Sequence, residues 1–346
     1  MALGLGFATG ACTATPAATG VVECANGPGD SAKIQAAIDR SRTDGEIVFA
    51  GHCLVTATVE LRGGRHYRGR ARSTTLTAAP GSELPAVLAA DSWVAGSKGT
   101  GDPIQLTDLT VDANRAANPR GGDAVVIRSW NSDIEHVSIA HAPRDGLVVT
   151  NLARNGTALS GTQVNGTIRD VFVDDSGRDG IHVQDTGSGV TDWNLLDTWV
   201  SQSRADAIRL DNAAGWVVER NHVYGVGGSG ISADRLYATS IGDNYIEDFA
   251  TTGIGVSVQG SAASTLEGNK VFQFSGHGTT YVSAVGGGNG TGALAVVGNV
   301  VRGNGRGTGM SFQRGSGLTV TSSANLISDV GTPRTTGAGV TVSGGS

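Results

Sequence analysis

The sequence predicts an all-β solenoid, a single elongated domain of short stacked rungs, and three observations carry that reading. Glycine is abundant at 54 residues, while prolines number 8, aromatics make up 5% and charged residues 16%. That is a composition of turn-makers and short β-branched runs without collagen's triplet. A pair of aliphatic positions two residues apart recurs at Leu147/Val149, Ile181/Val183, Ile208/Leu210, Ile231/Ala233 and Ile254/Val256, with further members expected at Met310/Phe312 and Val340/Val342. An asparagine recurs in a file of its own at Asn221, Asn244, Asn269, Asn299 and Asn325. The aliphatic pairs from 147 to 254 are separated by 34, 27, 23 and 23 residues, a period at which each rung buries its apolar side only against its neighbours.

Residues 1–23 are small, apolar and then Thr/Ala/Pro-rich, and are expected to be a signal-like, flexible segment, although they lack the positively charged start of a secretory signal. Thr9-Gly10-Ala11-Cys12 loosely matches a lipoprotein cleavage site, which would anchor the chain by lipid at Cys12. No later stretch is long and apolar enough to span a bilayer. Cys24 and Cys53 are expected to form a disulfide, consistent with an exported protein, with two reduced buried thiols as the alternative. Asp30 is placed at the start of one short amphipathic helix, whose buried face would carry Ile34, Ala37, Ile38 and Ser41 and which ends near Gly45. Helical periodicity is not expected to return after it. The net charge of −6 and the absence of a lysine-rich run argue against a nucleic-acid partner.

The segment GDSAKIQAAIDRSRTDGEIVFAGHCLVTATVELRGG and the repeated form NxVxxxxxxGIxV resemble the pectate-lyase-like right-handed parallel β-helix superfamily. The resemblance covers residues 25–346. It implies a single-stranded right-handed parallel β-helix over 24–346 with a short N-terminal capping α-helix, in a superfamily of polysaccharide lyases, glycoside hydrolases, sugar epimerases, tailspikes and non-catalytic proteins. Fold leaves the choice among these open.

The chemistry concentrates on three consecutive rungs. Asp145, Asp179 and Asp206 each stand two residues before an inward aliphatic, and Ser229 and Thr252 continue the column. Arg144, Arg178 and Arg204 precede the aspartates, while His182 and Arg209 follow the first aliphatic on the outer face. Columns in a parallel sheet repeat every ~4.8 Å, so three stacked carboxylates repel one another unless a cation, a shared proton or an arginine intervenes. For any single aspartate, ordinary Asp-Gly turn chemistry is an equally good account; for the set, a functional role is favoured. The asparagine file is expected to be structural.

Three reactions fit. A lyase would hold Ca²⁺ on Asp145, Asp179 and Asp206, use His182 or Arg209 near the abstracted proton, and grip a uronate with Arg144, Arg178 or Arg204. A glycoside hydrolase would pair two aspartates, about 5 Å apart on adjacent rungs or near 9.5 Å two rungs apart. An epimerase would return the proton to the opposite face. Compared with the polygalacturonase-like hydrolases of the superfamily, Asp179 and Asp206 match two of the aspartates, whereas Ala205 and Ser229 replace a carboxylate and a histidine. Trp193, with Trp216, is a candidate sugar-stacking platform or a cover for the solenoid edge. Asp211 lies in a further acidic file with Asp185 and Asp234 and is a candidate substrate-binding residue. His222 and Tyr224 receive no role. The expected function is secreted cleavage of an extracellular, acidic polysaccharide, lyase slightly ahead of hydrolase, with a non-catalytic glycan-binding solenoid as the rival. The uncovered strand at the C-terminus predicts association into a homo-oligomer.

Overall fold

A computed structural model describes residues 20–259, 262–275, 277–286, 292–313 and 317–344. Cys12 and most of the signal-like segment lie outside them, while the last four residues of that segment, Gly20–Glu23, already form a strand that pairs with Glu46–Ala50. The chain winds as a parallel β-solenoid of about eleven turns. Three long sheets form its faces: a first of 13 strands starting at Gly20–Glu23, and two of 11 strands, the second starting at His52–Val55 and the third at Val59–Leu61. A rung takes one strand from each sheet in turn, as in Thr167–Arg169, Phe172–Asp174 and Ile181–Gln184. Alternation along each strand sends one side chain inward and the next outward. The inward set makes one continuous aliphatic core along the axis.

The predicted register holds from Leu147 to Val256: Leu147 faces Ile181, Ile181 faces Ile208, Ile208 faces Ile231 and Ile231 faces Ile254. Met310/Phe312 belongs to the file as expected, while one rung was missed and one expected member is corrected. The next rung of the third sheet is Val282/Ala284, ahead of Met310/Phe312, and the rung after that is Arg334/Thr336. Val340 and Val342 do not belong to this file, because Val342 pairs with Val320 in the first sheet. Upstream, the same file extends through Val125/Ile127, Leu88/Ala90 and Val59/Leu61.

Helix α1 (Asp30–Arg40) covers the start of the solenoid with Ile34 and Ile38 buried. Its N-cap position is Gly29, and Asp30 is instead the first helical residue. The Asp30 carboxylate accepts N–H bonds from Ala25, Gly27 and Leu54, tying the helix to the preceding turn and the first rungs. The disulfide between Cys24 and Cys53 closes the same corner. A second helix, α2 (Asp91–Ala95), was not expected; five residues are too few to show periodicity, and it stops at Gly96, which has φ 69°. The asparagine file is structural as expected. The backbone N–H of Asn221 donates to Oδ1 of Asn244, and the pattern repeats from Asn244 to Asn269, Asn269 to Asn299 and Asn299 to Asn325, at 3.0 or 3.1 Å.

Candidate functional site

The outer face of the third sheet changes character along the axis. At its start, Ala89, Val126 and Val148 form a small apolar cluster packed under Trp93 and Val94 of α2. The next outward positions are His182 and Arg209, in register with Val148. The apolar cover therefore ends where the ionisable groups begin. Arg128, fully buried, fixes the loop that follows α2: its guanidinium donates to the carbonyls of Ser92, Ser97 and Thr157.

The aspartate column has a structural duty first. Oδ1 of Asp123 accepts the N–H of Asp145, Oδ1 of Asp145 that of Asp179, Oδ1 of Asp179 that of Asp206 and Oδ1 of Asp206 that of Ser229, at 2.6–3.1 Å. Asp123 was missed because its context, GGDAVVI, lacks the Arg-Asp-Gly signature of the later rungs. Each carboxylate thus spends one oxygen on the turn of the next rung and keeps the other for a different contact.

At Asp145 that second contact is taken. Arg178 donates to both carboxylate oxygens, Nε to Oδ1 at 2.9 Å and a terminal nitrogen to Oδ2 at 2.5 Å, and Nδ1 of His182 donates to Oδ2 at 3.1 Å. Nε2 of His182 bonds Oδ2 of Asp211 at 3.2 Å, and Oδ1 of Asp211 accepts from Arg209 Nε at 3.1 Å. The result is one chain of alternating charge, Arg178, Asp145, His182, Asp211, Arg209, laid across three rungs. Burial of the imidazole works against its charge, but the bonds to Asp145 and Asp211 outweigh it and push its pKa up to about 9. His182 is therefore an imidazolium at neutral pH. Burial would raise Asp145 and Asp211, yet their hydrogen bonds from His182, with Arg178 and Arg209 beside them, hold both below the ordinary carboxylate range. Asp179 goes the other way: burial and the nearby charge of Asp145 raise it. Asp123, buried beside Asp145, is pushed up to about 6.

These positions revise several expectations. Asp145, Asp179 and Asp206 do not form an oxygen cage. The ligand atoms that lie within 4.8 Å of one another belong to Asp145, Asp179 and His182, a set that includes a protonated nitrogen, and both oxygens of Asp145 are occupied by N–H donors. The residues do not fit a calcium ion, because Arg178 and His182 already donate to the Asp145 carboxylate that would have to ligate it. His182 does not fit the role of base, since both its nitrogens donate to carboxylates. Trp193 is fully buried, stacks on Trp216 with centroids 6.0 Å apart and donates its indole N–H to the Gln163 carbonyl. It presents no face to a sugar, and the ring lies where a Cβ on Gly166 would fall, 2.1 Å from it. Asp211 is the outer clamp of His182. Asp185 accepts N–H bonds from Gly187, Gly189 and Val190 and shapes its own loop. Arg144 lies 3.8 Å from Asp123 with half its side chain exposed, and Arg204 is exposed. The guanidinium side chains of Arg178 and Arg209 are 43% and 46% exposed, so four cationic heads remain open to solvent over a bed of carboxylates.

Residues 179–346 match the family described as right handed beta helix region. No curated protein matches the sequence. Among solved structures, the A-module of a mannuronan C-5 epimerase from Azotobacter vinelandii is 16% identical with a TM-score of 0.64, covering 90% of this chain and 95% of its own. A DFA-IIIase from Arthrobacter chlorophenolicus A6, in complex with DFA-III, is 13% identical with a TM-score of 0.60, covering 89% and 83%. The Agl-KA catalytic domain is 12% identical with a TM-score of 0.60, covering 96% and 69%. At these identities the likeness is one of fold.

Proposed function

We propose that this chain, a parallel β-helix whose residues 179–346 match the right handed beta helix region family, binds an acidic polysaccharide along the outer face of the third sheet and cleaves it there. The observation that carries the proposal is the alternating charge chain from Arg178 to Arg209, set beside a carboxyl group whose environment favours the proton. Asp179 and Asp206 occupy adjacent rungs, ~4.8 Å apart along the axis, near the separation at which two carboxyl groups flank a glycosidic bond in retaining hydrolysis. Asp179, one rung from Asp206 and with its side chain only 3% exposed, is assigned the proton transfer to the leaving oxygen, across the narrow opening its burial leaves; burial and Asp145 shift it toward the protonated form. Asp206, half-buried with its second oxygen uncommitted among the described residues, is the nucleophile: it bonds to the anomeric carbon as the bond to the leaving oxygen breaks, and Asp179, then a carboxylate, takes a proton from the water that releases the sugar. His182, positively charged between Asp145 and Asp211, fixes both carboxylates and favours negative charge on substrate. Arg144, Arg178, Arg204 and Arg209 supply the guanidinium heads that pair with sugar carboxylates. Carbohydrate-active proteins among the structural relatives, the mannuronan epimerase included, support a glycan as substrate.

Hydrolysis is placed ahead of β-elimination because Asp179 and Asp206 stand one rung apart, the spacing a pair of hydrolytic carboxyl groups needs. Elimination remains the second reading, supported by the exposed guanidiniums, which would neutralise the uronate carboxylate beside the departing proton; Asp206 would then be the base. The test is incubation with a panel of acidic polysaccharides, with and without calcium, following both reducing ends and the ultraviolet absorbance of unsaturated uronate. Reducing ends without absorbance, unaffected by calcium and reduced about 10²-fold or more in Asp179→Asn and Asp206→Asn, is the expected result. Absorbance lost in Asp206→Asn would establish elimination instead, and silence in both assays across the panel would leave a binding solenoid.

A further inference from the structure

The second sheet carries a feature that the charge chain does not use. Phe172, Trp199, His222 and Tyr245 face outward in register on four consecutive strands. Their rings follow one another with centroids 6.3, 3.8 and 4.6 Å apart. Phe172 is 44% and Trp199 38% exposed, a large aromatic surface to leave in water on a protein with few aromatics. The His222 ring is tilted by 38° to Trp199 and by 59° to Tyr245, and burial lowers its pKa.

Shape and charge narrow the occupant. The stripe is one ring wide and three strand intervals long, about 14 Å at the ~4.8 Å strand spacing. A stable protein partner needs roughly 800 Å² on each side, far more than such a strip offers, whereas a linear polymer one residue wide matches it. Two residues further along the same strands, on the same face, stand Asp174, Ser201, Tyr224 and Glu247. Asp174 accepts from Ser201 Oγ at 2.7 Å and is half-buried, Tyr224 is exposed and Glu247 is half-buried. This border holds carboxylates and hydroxyls, and the cations of the same face, Lys270 in register with Tyr245 and Arg302 two strands beyond Glu247, lie past its end. It would accept hydrogen bonds from sugar hydroxyls and repel a polyanion.

We propose that the ring stripe on the second sheet is a separate binding site for a neutral, extended polysaccharide, lying along the solenoid axis on an adjoining face to the charge chain. Sugar C–H faces pack on Phe172 and Trp199, and hydroxyl groups bond Asp174, Tyr224 and Glu247. The site is independent of whatever reaction the third sheet performs.

Affinity electrophoresis through gels containing soluble neutral polysaccharides (xylan, mixed-linkage glucan, hydroxyethyl cellulose), with polygalacturonate as the anionic control, tests it. The expected result is retardation by at least one neutral polymer, weakened about tenfold or more in Trp199→Ala, as for truncation of an aromatic anchor. Trp199→Phe should restore it, and Asp179→Asn should leave it unchanged. Phe172→Ala repeats the test at the open end of the stripe should loss of Trp199 lower the melting temperature. Retardation by polygalacturonate alone, no retardation by any neutral polymer, or equal binding by wild type and both alanine variants would overturn the proposal. So would self-association in sedimentation that Trp199→Ala abolishes, which would make the stripe a contact between copies of this chain.

Discussion

His182 shows how a single outward position on a solenoid face becomes committed to one protonation state. Its raised pKa means that its stabilising contribution is complete below the ordinary histidine value and is lost as pH climbs through about 9. On the acid side, Asp145 and Asp211, both lowered, keep their share until pH falls below the ordinary carboxylate range. Urea unfolding at pH 7 and pH 10 should therefore show an alkaline loss in the wild type, with about 2–3 kcal/mol of it from this residue, since each tenfold gain in proton affinity on folding is worth ~1.4 kcal/mol. In His182→Gln that part of the loss should vanish while stability at pH 7 drops; an unchanged alkaline limb would remove the imidazolium from the account. The residues of this cluster were legible in the sequence as a repeated Arg-Asp-Gly with a histidine, but their pairing was not. Which oxygen an arginine takes depends on side-chain reach between rungs, and that reach turned an expected calcium cage into an arginine clamp.

At the scale of strands and turns, the fold was readable because solenoid rungs repeat their errors and successes alike. A glycine-aliphatic motif recurring over successive rungs set the register of the third sheet from Leu147 to Val256. It failed at Val282/Ala284, where the inward pair is small and the preceding motif is absent, and at Val340/Val342, an aliphatic pair of the right form on the wrong sheet. The asparagine file was legible for the same reason, and its energetics can be tested one member at a time. Asn244 is fully buried; its Oδ1 accepts from both the backbone N–H and Nδ2 of Asn221, and its Nδ2 donates to the Val218 carbonyl. Asn244→Ala leaves several buried groups unpaired and should cost about 3 kcal/mol, each orphaned group costing ~1–3 kcal/mol. Asn325, only half-buried, should cost markedly less when replaced by alanine. Denaturant midpoints for the two variants make the comparison, and equal losses would show that the file stabilises through something other than burial of its amides.

Across the whole molecule, stability is approximately a sum over neighbouring rungs, because each packs mainly on the two beside it. The Cys24–Cys53 disulfide, whose ends are 29 positions apart in sequence, acts on the first rungs and the helix that covers them. Reduction should lower stability there by about 2–4 kcal/mol and raise hydrogen exchange across residues 20–55 while leaving the strands from Ile208 to Arg302 protected. Uniform loss of protection along the axis would mean that the solenoid unfolds as one unit. The sequence foresaw this disulfide, and an oxidising, extracellular setting agrees with it; among the described residues no helix is long and apolar enough to cross a membrane. The two polar files add a property of their own, since they point in opposite senses. In the asparagine file the acceptor sits on the later rung, and in the aspartate file on the earlier one. A copied rung that carries the residue of its own file, the aspartate up to Asp206 or the asparagine from Asn221 on, would match that acceptor to its neighbour's N–H, whereas one lacking it would strand a backbone N–H at that corner. The length of such a protein can then change by whole-coil duplication, and the asparagine or the aspartate acts as the spelling check on each new copy.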